Sequence, residues 1–324
     1  MSMSLLQRCY PMKKPLLFGI VLSFLSLPAF AAPMVVASIK PVHSLVAAIM
    51  QGVGEPSLIV EGAGSPHSFN LKPSLADKIA KADLIFWVGP NLETFLVKPL
   101  ANLGKPDRAI ALIETEKLVL HDFREADDFA GHGEEHNEAG HEEKTDDGHH
   151  HDGGVDPHIW LDLDNAMLMA TRIETALSQT DPDNAALYQR NATALHAQLG
   201  AMKSRIAARL AALKQQRFVV FHDAYQYFEH QFGLSADQAL TLNTDIKPGA
   251  AHLASIQHHI KEDGIGCVFI EPQFNPDIAK LVIEGSNAKI HSLDPLGAAM
   301  KDGPALYPAL IEAMAEAFST CLTH

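Results

Sequence analysis

The chain has 324 residues, of which 47% are hydrophobic and 20% are charged. This composition supplies a large core and up to two domains of ordinary size, and it excludes a chain that is disordered throughout. The 39 acidic residues outnumber the 25 basic ones, which argues against nucleic acid as a partner because phosphate binding depends on basic clusters. Histidine is unusually frequent, with 18 copies. Metal binding is therefore the first chemistry to consider.

The amino-terminal segment has the three parts of a secretory signal. Three basic residues precede an apolar run at 16–27, and Ala29-Phe30-Ala31 provides a cleavage site. The apolar run is about a dozen residues long, whereas a membrane span needs roughly 20. We therefore interpret residues 1–31 as a removable signal peptide rather than a membrane anchor, and expect the remaining chain to be soluble and exported.

Apolar runs that favour strands then alternate with helical patterns. In chain order, the predicted elements are strand Met34-Ile39, helix Val42-Gln51, strand Ser57-Val60, helix Ser74-Lys81, strand Leu84-Val88, helix Leu92-Leu100 and strand Ala109-Leu112. Short, nearly continuous apolar strands joined by helices are typical of a parallel α/β structure. Residues 32–181 are therefore expected to form an amino-terminal α/β lobe.

An insertion at residues 122–154 interrupts this lobe. It is rich in Gly, Glu, Asp and His and has no apolar period, so we expect it to be disordered. Imidazoles among carboxylates on an exported chain are exchangeable metal ligands, and we expect weak metal capture here rather than a merely solvated loop. The six histidines concerned are His132, His136, His141, His149, His150 and His151.

A long helix is predicted at residues 182–215. Asp181 is placed to cap it, and Pro182 occupies the first helical position. Apolar residues recur every three or four positions along the whole segment, so that one stripe runs its full length. At 1.5 Å per residue the helix would span about 50 Å, which suits a connection between two lobes.

The strand and helix alternation returns in residues 216–324. Predicted strands lie at Phe218-Phe221, Cys267-Ile270 and Lys289-Leu293, and a polar turn and a helix follow each one. The predicted fold class is thus α/β, with two parallel-sheet lobes joined by one long α-helix.

Two cysteines remain after the signal peptide is removed, Cys267 and Cys321. A pair of cysteines in an oxidising compartment is expected to form a disulfide. The bridge would close a loop of about 54 residues and add roughly 4 kcal/mol of stability in the chain-entropy model. The alternative is two unreactive buried thiols.

Three histidines outside the insertion stand at the boundaries of predicted elements. His67 and His222 follow strands, where ligands bind α/β sheets, and His158 precedes an apolar segment. One histidine in such a position is usually a hydrogen-bonded loop residue. Three of them, distributed along the chain, suggest a joint metal site.

Eight ordered motifs carry a resemblance over nearly the whole exported chain. They are ASIKPV at 37–42, PHSF at 66–69, ADL at 82–84, WVGP at 87–90, HIWL at 158–161, FHDAY at 221–225, EPQF at 271–274 and LDPLG at 293–297. The sequence resembles the periplasmic zinc-binding component of bacterial high-affinity zinc ABC importers, the ZnuA family of cluster A-I solute-binding proteins. The resemblance implies a periplasmic protein that captures Zn²⁺ between its lobes and delivers it to a membrane permease.

The resemblance also implies a ligand set of His67, His158 and His222, with Asp294 beside the metal. Imidazole at position 222, where manganese-type relatives have an acid, favours zinc, since nitrogen ligands suit Zn²⁺ better than Mn²⁺. Some zinc-type relatives carry Glu before the first histidine, whereas this chain has Pro66. The fourth position is therefore left to Asp294, water or Glu271.

Two acids are candidates for orienting the imidazoles. Glu271 and Asp223 are each able to accept a ring N–H and fix the tautomer of a ligand, and the sequence does not rank them.

Two other functions, a zinc-dependent enzyme and a zinc-storage protein, are less consistent with the sequence. Three histidines with an open fourth position also hold catalytic zinc, but the helical H-E-x-x-H pattern is missing and no clear general base is offered. A zinc-storage protein would explain the insertion but does not require two lobes. We expect a monomeric carrier that is not an enzyme.

Overall fold

Two four-stranded parallel sheets form the framework of the computed structural model, which describes residues 32–102, 106–124, 129, 154–242 and 248–323. Their orders are β2-β1-β3-β4 and β6-β5-β7-β8, and all neighbouring strands are parallel. The strands are β1 (Val35–Ala37), β2 (Ser57–Leu58), β3 (Leu84–Trp87), β4 (Ala109–Ala111), β5 (Phe218–His222), β6 (Gln238–Thr241), β7 (Cys267–Ile270) and β8 (Lys289–Ser292). The predicted fold of two parallel α/β lobes is confirmed.

Helices cover the sheets, so that central strands such as β3 and β5 are buried along their whole length. Burial on both faces explains why these strands are continuous apolar runs without alternation. The helices are α1 (Lys40–Ile49), α2 (Pro73–Lys81), α3 (Thr94–Ala101), α4 (Leu163–Thr180), α5 (Ala185–Leu210), α6 (Gln226–Phe232), α7 (Ala250–Glu262), α8 (Asp277–Ile283) and α9 (Leu306–Leu322).

The predicted long helix is present as α5, extended by single 3₁₀ turns at Pro182–Asn184 and Ala211–Leu213. Asp181 does not cap its backbone. The Oδ2 atom of Asp181 instead accepts hydrogen bonds from the Tyr188 hydroxyl at 2.7 Å and from the Asn184 amide at 2.8 Å. The buried residues of α5 are the predicted stripe of Tyr188, Ala192, Leu195, Leu199, Met202, Ile206 and Leu210.

Helix α4 and strand β6 have no counterpart among the predicted elements. Helix α4 packs along α5, and it begins at a true cap, because the Asp162 carboxylate accepts from the backbone N–H groups of Asp164 and Asn165. Strand β6 is a four-residue edge strand in register with β5. Its short sequence is too weak a strand signal to identify without its neighbour.

The two lobes share one continuous interior. Helices α1 and α9 pack against each other and against α5, and one hydrophobic cluster extends from Val36 in the first sheet to Phe218 in the second. Ala32–His324 forms a single compact unit. The division of the chain at residues 181/182 and 215/216 therefore stays a prediction, because the packing continues across it.

A buried lysine adds a polar connection between the lobes. The Lys40 ammonium group, at the start of α1, donates to the carbonyl oxygens of Gly297, Ala298 and Met300 at 2.8–3.1 Å and pairs with Asp302 at 3.2 Å. These acceptors all lie in the loop after β8. The first lobe thus fixes the position of a loop of the second.

The predicted disulfide joins Cys267, the first residue of β7, to Cys321 in α9, with the Cα atoms 5.9 Å apart. It attaches the carboxy-terminal helix to the second sheet. The predicted signal peptide at 1–31 and the six histidines of the insertion lie outside the described residues. Within the described part, none of the helices has the length and apolar character that crossing a membrane would require.

The shared interior predicts that metal binding leaves the overall shape nearly unchanged. Separating the lobes would expose part of their common core, at a cost of roughly 25 cal/mol per Å² of apolar surface. We expect zinc to change the radius of gyration by less than about 1 Å, against about 19 Å for a chain of this length. Small-angle X-ray scattering with and without zinc measures this directly, and a contraction of several ångströms would contradict it.

Candidate metal centre

The three predicted histidines meet at one point between the sheets. His67, His158 and His222 each offer a ring nitrogen, and these nitrogens all lie within 4.8 Å of one another. The ring centroids are 5.3–5.9 Å apart. His158 and His222 are buried, whereas His67 is partly exposed. Among the described residues, these three histidines form the group of His, Cys, Asp or Glu side chains whose ligand atoms have the spacing of a metal site.

Rigid elements hold the two buried rings. His222 is the last residue of β5, and the ring of Phe274 lies 5.6 Å from its own. His158 directly precedes a buried 3₁₀ turn at Ile159–Leu161. In that turn, the Trp160 indole N–H donates to the carbonyl of Pro295 at 2.9 Å. The second lobe therefore helps to fix the first-lobe segment that carries His158.

His67 comes from the loop that follows β2. Phe69, two residues later, packs on Phe95 of α3 with the ring centroids 5.0 Å apart. This contact holds one side of the loop, while His67 stays at the edge of the cavity. The third imidazole is therefore the one nearest to solvent.

Buried carboxylates fix the orientation of both inner rings. The Nδ1 atom of His158 lies 2.6 Å from Oδ1 of Asp156, and Nδ1 of His222 lies 2.5 Å from Oε1 of Glu271. Asp156 also accepts from the Gln226 amide at 2.9 Å. A ring that donates its Nδ1–H to a carboxylate keeps its Nε2 lone pair free for a metal.

Charge balance supports this arrangement. Burial by itself raises the pKa of Asp156, but the His158 charge and the hydrogen bonds from His158 and Gln226 outweigh it, so the net pKa is lowered and the carboxylate stays ionised. Burial likewise lowers the pKa of His222, but the Glu271 carboxylate more than compensates and the net pKa is raised. Each ring therefore faces an acceptor.

The distance between the two inner rings matches a tetrahedral metal. Nε2 of His158 and Nε2 of His222 are 3.4 Å apart. Two nitrogens bound at about 2.05 Å to a tetrahedral Zn²⁺ are about 3.3 Å apart. With both Nδ1 atoms held by carboxylates, the two Nε2 atoms face each other, an arrangement that a shared proton or a metal cation between them stabilises.

His67 completes a neutral donor set. Burial first, and then the positive charges that His158 and His222 carry when protonated, lower the pKa of His67 to about 2. This imidazole is therefore uncharged at neutral pH, and no proton has to leave it before a metal binds.

Asp294, the fourth predicted ligand, lies in the loop after β8. Its carboxylate accepts backbone N–H groups from Leu296, Gly297 and Ala298 at 2.6–3.0 Å, and the Gln273 amide at 3.2 Å. Asp294 is not a member of the group formed by the three histidines, whose ring nitrogens lie within 4.8 Å of one another. The structure thus brings the three histidines together and places Asp294 as a stabiliser of its own loop.

Two residues of the site were not identified from the sequence. Asp156 lies two positions before His158, a spacing that could have suggested an orienting carboxylate. Arg124 gave no local signal, because its partners Asp223 and Glu229 are about a hundred residues away. A small pocket lined by the three histidines adjoins a larger vestibule, which Arg124 and Asp223 also line.

Comparison with known proteins places the chain in a family. The sequence model of the family described as "Zinc-uptake complex component A periplasmic", ZnuA, matches residues 35–321. The chain belongs to the ZnuA family.

Relatives of the ZnuA family match along nearly their whole length. The chain is 46% identical over 307 residues to the high-affinity zinc uptake system protein ZnuA of Brucella suis, covering 89% of this chain and 91% of the relative. It is 35% identical to the ZnuA protein of Paracoccus denitrificans, covering 95% and 97%. These matches agree with the resemblance carried by the eight motifs.

Solved structures agree with the fold. A mutant of the laminin-binding adhesin Lmb of Streptococcus agalactiae superposes with a TM-score of 0.73 at 24% identity, covering 90% of this chain and all of the other. A crystal structure titled ZnuA gives 0.72 at 22% identity, covering 90% and 99%. At this identity the likeness concerns the two-lobed architecture.

The orienting carboxylates should contribute to zinc affinity. Replacing Glu271 by Gln, or Asp156 by Asn, keeps the shape but removes the negative charge that makes the ring a better donor. We expect each change to weaken zinc binding about 10- to 100-fold. Competition with a chelator measures this affinity. Glu262→Gln, at an exposed position at the end of α7, is the matched control and should have no effect.

Zinc affinity should fall on acidification, and His222 should take up a proton at a higher pH than His67. The raised pKa of His222 makes protons compete with zinc already above pH 6.5, whereas His67, with a pKa of about 2, takes up no proton in this range. The free energy of unfolding of the zinc-free protein should instead increase on acidification. The His222–Glu271 contribution is complete below pH 6.5 and is lost as pH rises through the folded pKa of His222.

Affinities measured from pH 8 to pH 5.5, corrected for protonation of the competitor, test this dependence. We expect a slope of about one proton per zinc near neutrality and an onset that moves to lower pH in Glu271→Gln. A slope of three protons, or affinity that is constant over the range, would contradict the assignment.

Proposed function

We propose that this protein is the periplasmic binding component of a bacterial zinc importer, which captures Zn²⁺ at His67, His158 and His222 and passes it to the permease of an ABC transporter. The observation that carries the proposal is the pair of Nε2 atoms 3.4 Å apart, each on a ring held by a buried carboxylate. Membership of the zinc-uptake family and the zinc-uptake names of its relatives support it.

The partners of the nearby carboxylates favour a carrier over a zinc-dependent hydrolase. Asp156 and Glu271 face imidazole nitrogens, and Asp223 pairs with Arg124. A hydrolase needs a base that can take a proton from the metal-bound water. These three acids are already engaged in holding other side chains, as suits a site that binds an ion without changing it.

The fourth position on the metal follows from the same contacts. Glu271 is occupied by His222, and Asp294 is held by backbone N–H groups of its own loop. We propose that water takes the fourth position in this arrangement. Asp294 would join the metal only if the loop at 293–297 shifted, which the Lys40 contacts oppose.

The histidine-rich insertion is proposed as a second, weaker zinc-binding region. Its described ends are joined next to the vestibule, where Asp122 and Val155 form an antiparallel bridge and the Phe123 N–H donates to the Gly154 carbonyl at 3.2 Å. The sequence of this segment predicts no packed framework for its histidines, so we expect each ion to be held more weakly than in the preformed cavity. Export by the signal peptide and a monomeric state complete the proposal.

Calorimetric titration of the exported protein with zinc tests the ligand set. We expect one tight binding event and one or more weaker ones. Replacing His67, His158 or His222 by Ala should weaken the tight event by more than the 10- to 100-fold typical of residues that only support a ligand. His258→Ala and His259→Ala, on α7 away from the cavity, serve as controls.

Two further variants separate the two regions. Deleting residues 128–153 should remove the weak events and preserve the tight one, and Asp294→Ala should change tight binding little if water is the fourth ligand. Loss of the tight event on deletion, or undiminished tight binding in a cavity histidine variant, would sink the corresponding assignment.

A further inference from the structure

A buried arginine in the wall of the vestibule holds two carboxylates. The Nε atom of Arg124 lies 3.0 Å from both oxygens of Asp223, its Nη2 atom also donates to Asp223, and its Nη1 atom donates to Glu229 at 2.8 Å. The side chains of Arg124, Asp223 and Glu229 are 15%, 5% and 2% exposed. The proposed zinc ligands make no use of this three-residue cluster.

The cluster lies directly beside the metal cavity. Asp223 follows His222 in the chain, and both residues line the vestibule together with His67 and His158. The Asp223 charge is one of the influences that raise the pKa of His222. The Asp223 carboxylate thus lies where an incoming metal ion passes, and it is already paired with Arg124.

The chemistry of that carboxylate matters for metal choice. Carboxylate oxygens favour harder cations such as Mn²⁺, whereas a set of imidazoles favours Zn²⁺. The planar guanidinium matches a carboxylate in a two-point contact that a lysine cannot reproduce. Without Arg124, Asp223 and Glu229 would be two buried acids with no cationic partner, a state that favours the uptake of a proton or of a metal cation.

We propose that Arg124 is a specificity-determining residue, which holds Asp223 in an ion pair and so keeps an oxygen donor away from the metal, making the site selective for Zn²⁺ over Mn²⁺. This inference rests on the proposed function, because it concerns the same cavity. Arg124 acts through Asp223 and does not touch the metal.

A purely structural role for the cluster makes a different prediction. Arg124 also connects the segment before the insertion to α6 through its ion pair with Glu229, which belongs to that helix. If this connection were its only role, removing the arginine would lower the thermal midpoint and weaken both metals in parallel. The ratio of the zinc affinity to the manganese affinity is therefore the decisive quantity.

The experiment compares variants of the full exported protein, titrated separately with Zn²⁺ alone and Mn²⁺ alone. In Arg124→Gln we expect the ratio of zinc affinity to manganese affinity to fall at least tenfold, within the range known for residues that support metal ligands. In Arg124→Gln combined with Asp223→Asn, the ratio should return towards that of the unmodified protein, since the oxygen donor has lost its charge.

A matched control is available in the second lobe. Arg217 pairs with Asp237 at 2.7 Å and with Asp263 at 3.2 Å, and none of the three lines the cavity or its vestibule. Arg217→Gln should leave the ratio unchanged. An equal change in Arg217→Gln would overturn the proposal, because it would show that any lost ion pair has this effect.

Other outcomes decide the proposal as well. An unchanged ratio in a folded Arg124→Gln protein refutes it. If that variant does not fold, the ratio of zinc affinity to manganese affinity should fall by a smaller factor in Arg124→Lys. In Asp223→Asn alone, the ratio should stay within about threefold of that of the unmodified protein. The absence of any fall in Arg124→Lys would overturn the proposal. Failure of the unmodified protein to bind zinc tightly would instead refute the proposed function.

Discussion

The site depends on one electrostatic constraint: the Nε2 atoms of two imidazoles are held facing each other at 3.4 Å inside the protein. Asp156 and Glu271 impose this arrangement because each lies against the Nδ1 atom of its ring and leaves Nε2 as the nitrogen that faces the cavity. Two unshared lone pairs so close would repel, so this pair of nitrogens favours a shared proton or a metal cation between them. The cavity is thus prepared for a metal before the metal arrives.

The framework makes such preparation possible by preventing the lobes from moving apart. His222 ends a fully buried strand, and His158 precedes a turn whose Trp160 indole is bonded to Pro295 of the other lobe. Lys40 fixes the loop that follows β8. With a continuous hydrophobic interior beneath them, these contacts place ligands from distant parts of the chain with the accuracy a metal requires.

Charge around the cavity is arranged so that each nearby acid has a partner. Asp156 and Glu271 face histidines, Asp223 faces Arg124, and Asp294 faces backbone N–H groups. An unpaired carboxylate here would attract hard cations and compete with the imidazoles. The donor set seen by an incoming ion is therefore mainly nitrogen, which agrees with the zinc-uptake family to which the chain belongs.

The parallel α/β character and the apolar stripe of α5 could be predicted from local periodicity, and the cysteine pair from composition. The three histidines could be predicted from their places at element boundaries together with the family resemblance of their motifs. The sequence did not reveal α4, β6, Asp156 as an orienting acid, or the contact of Arg124 with Asp223. Tertiary structure alone decided that Asp181 bonds Tyr188, that Glu271 reaches His222 and that Asp294 supports its own loop. The Glu271–His222 and Arg124–Asp223 contacts join residues 49 and 99 positions apart. A side chain with several possible partners is assigned to one only when packing brings that partner within hydrogen-bonding distance.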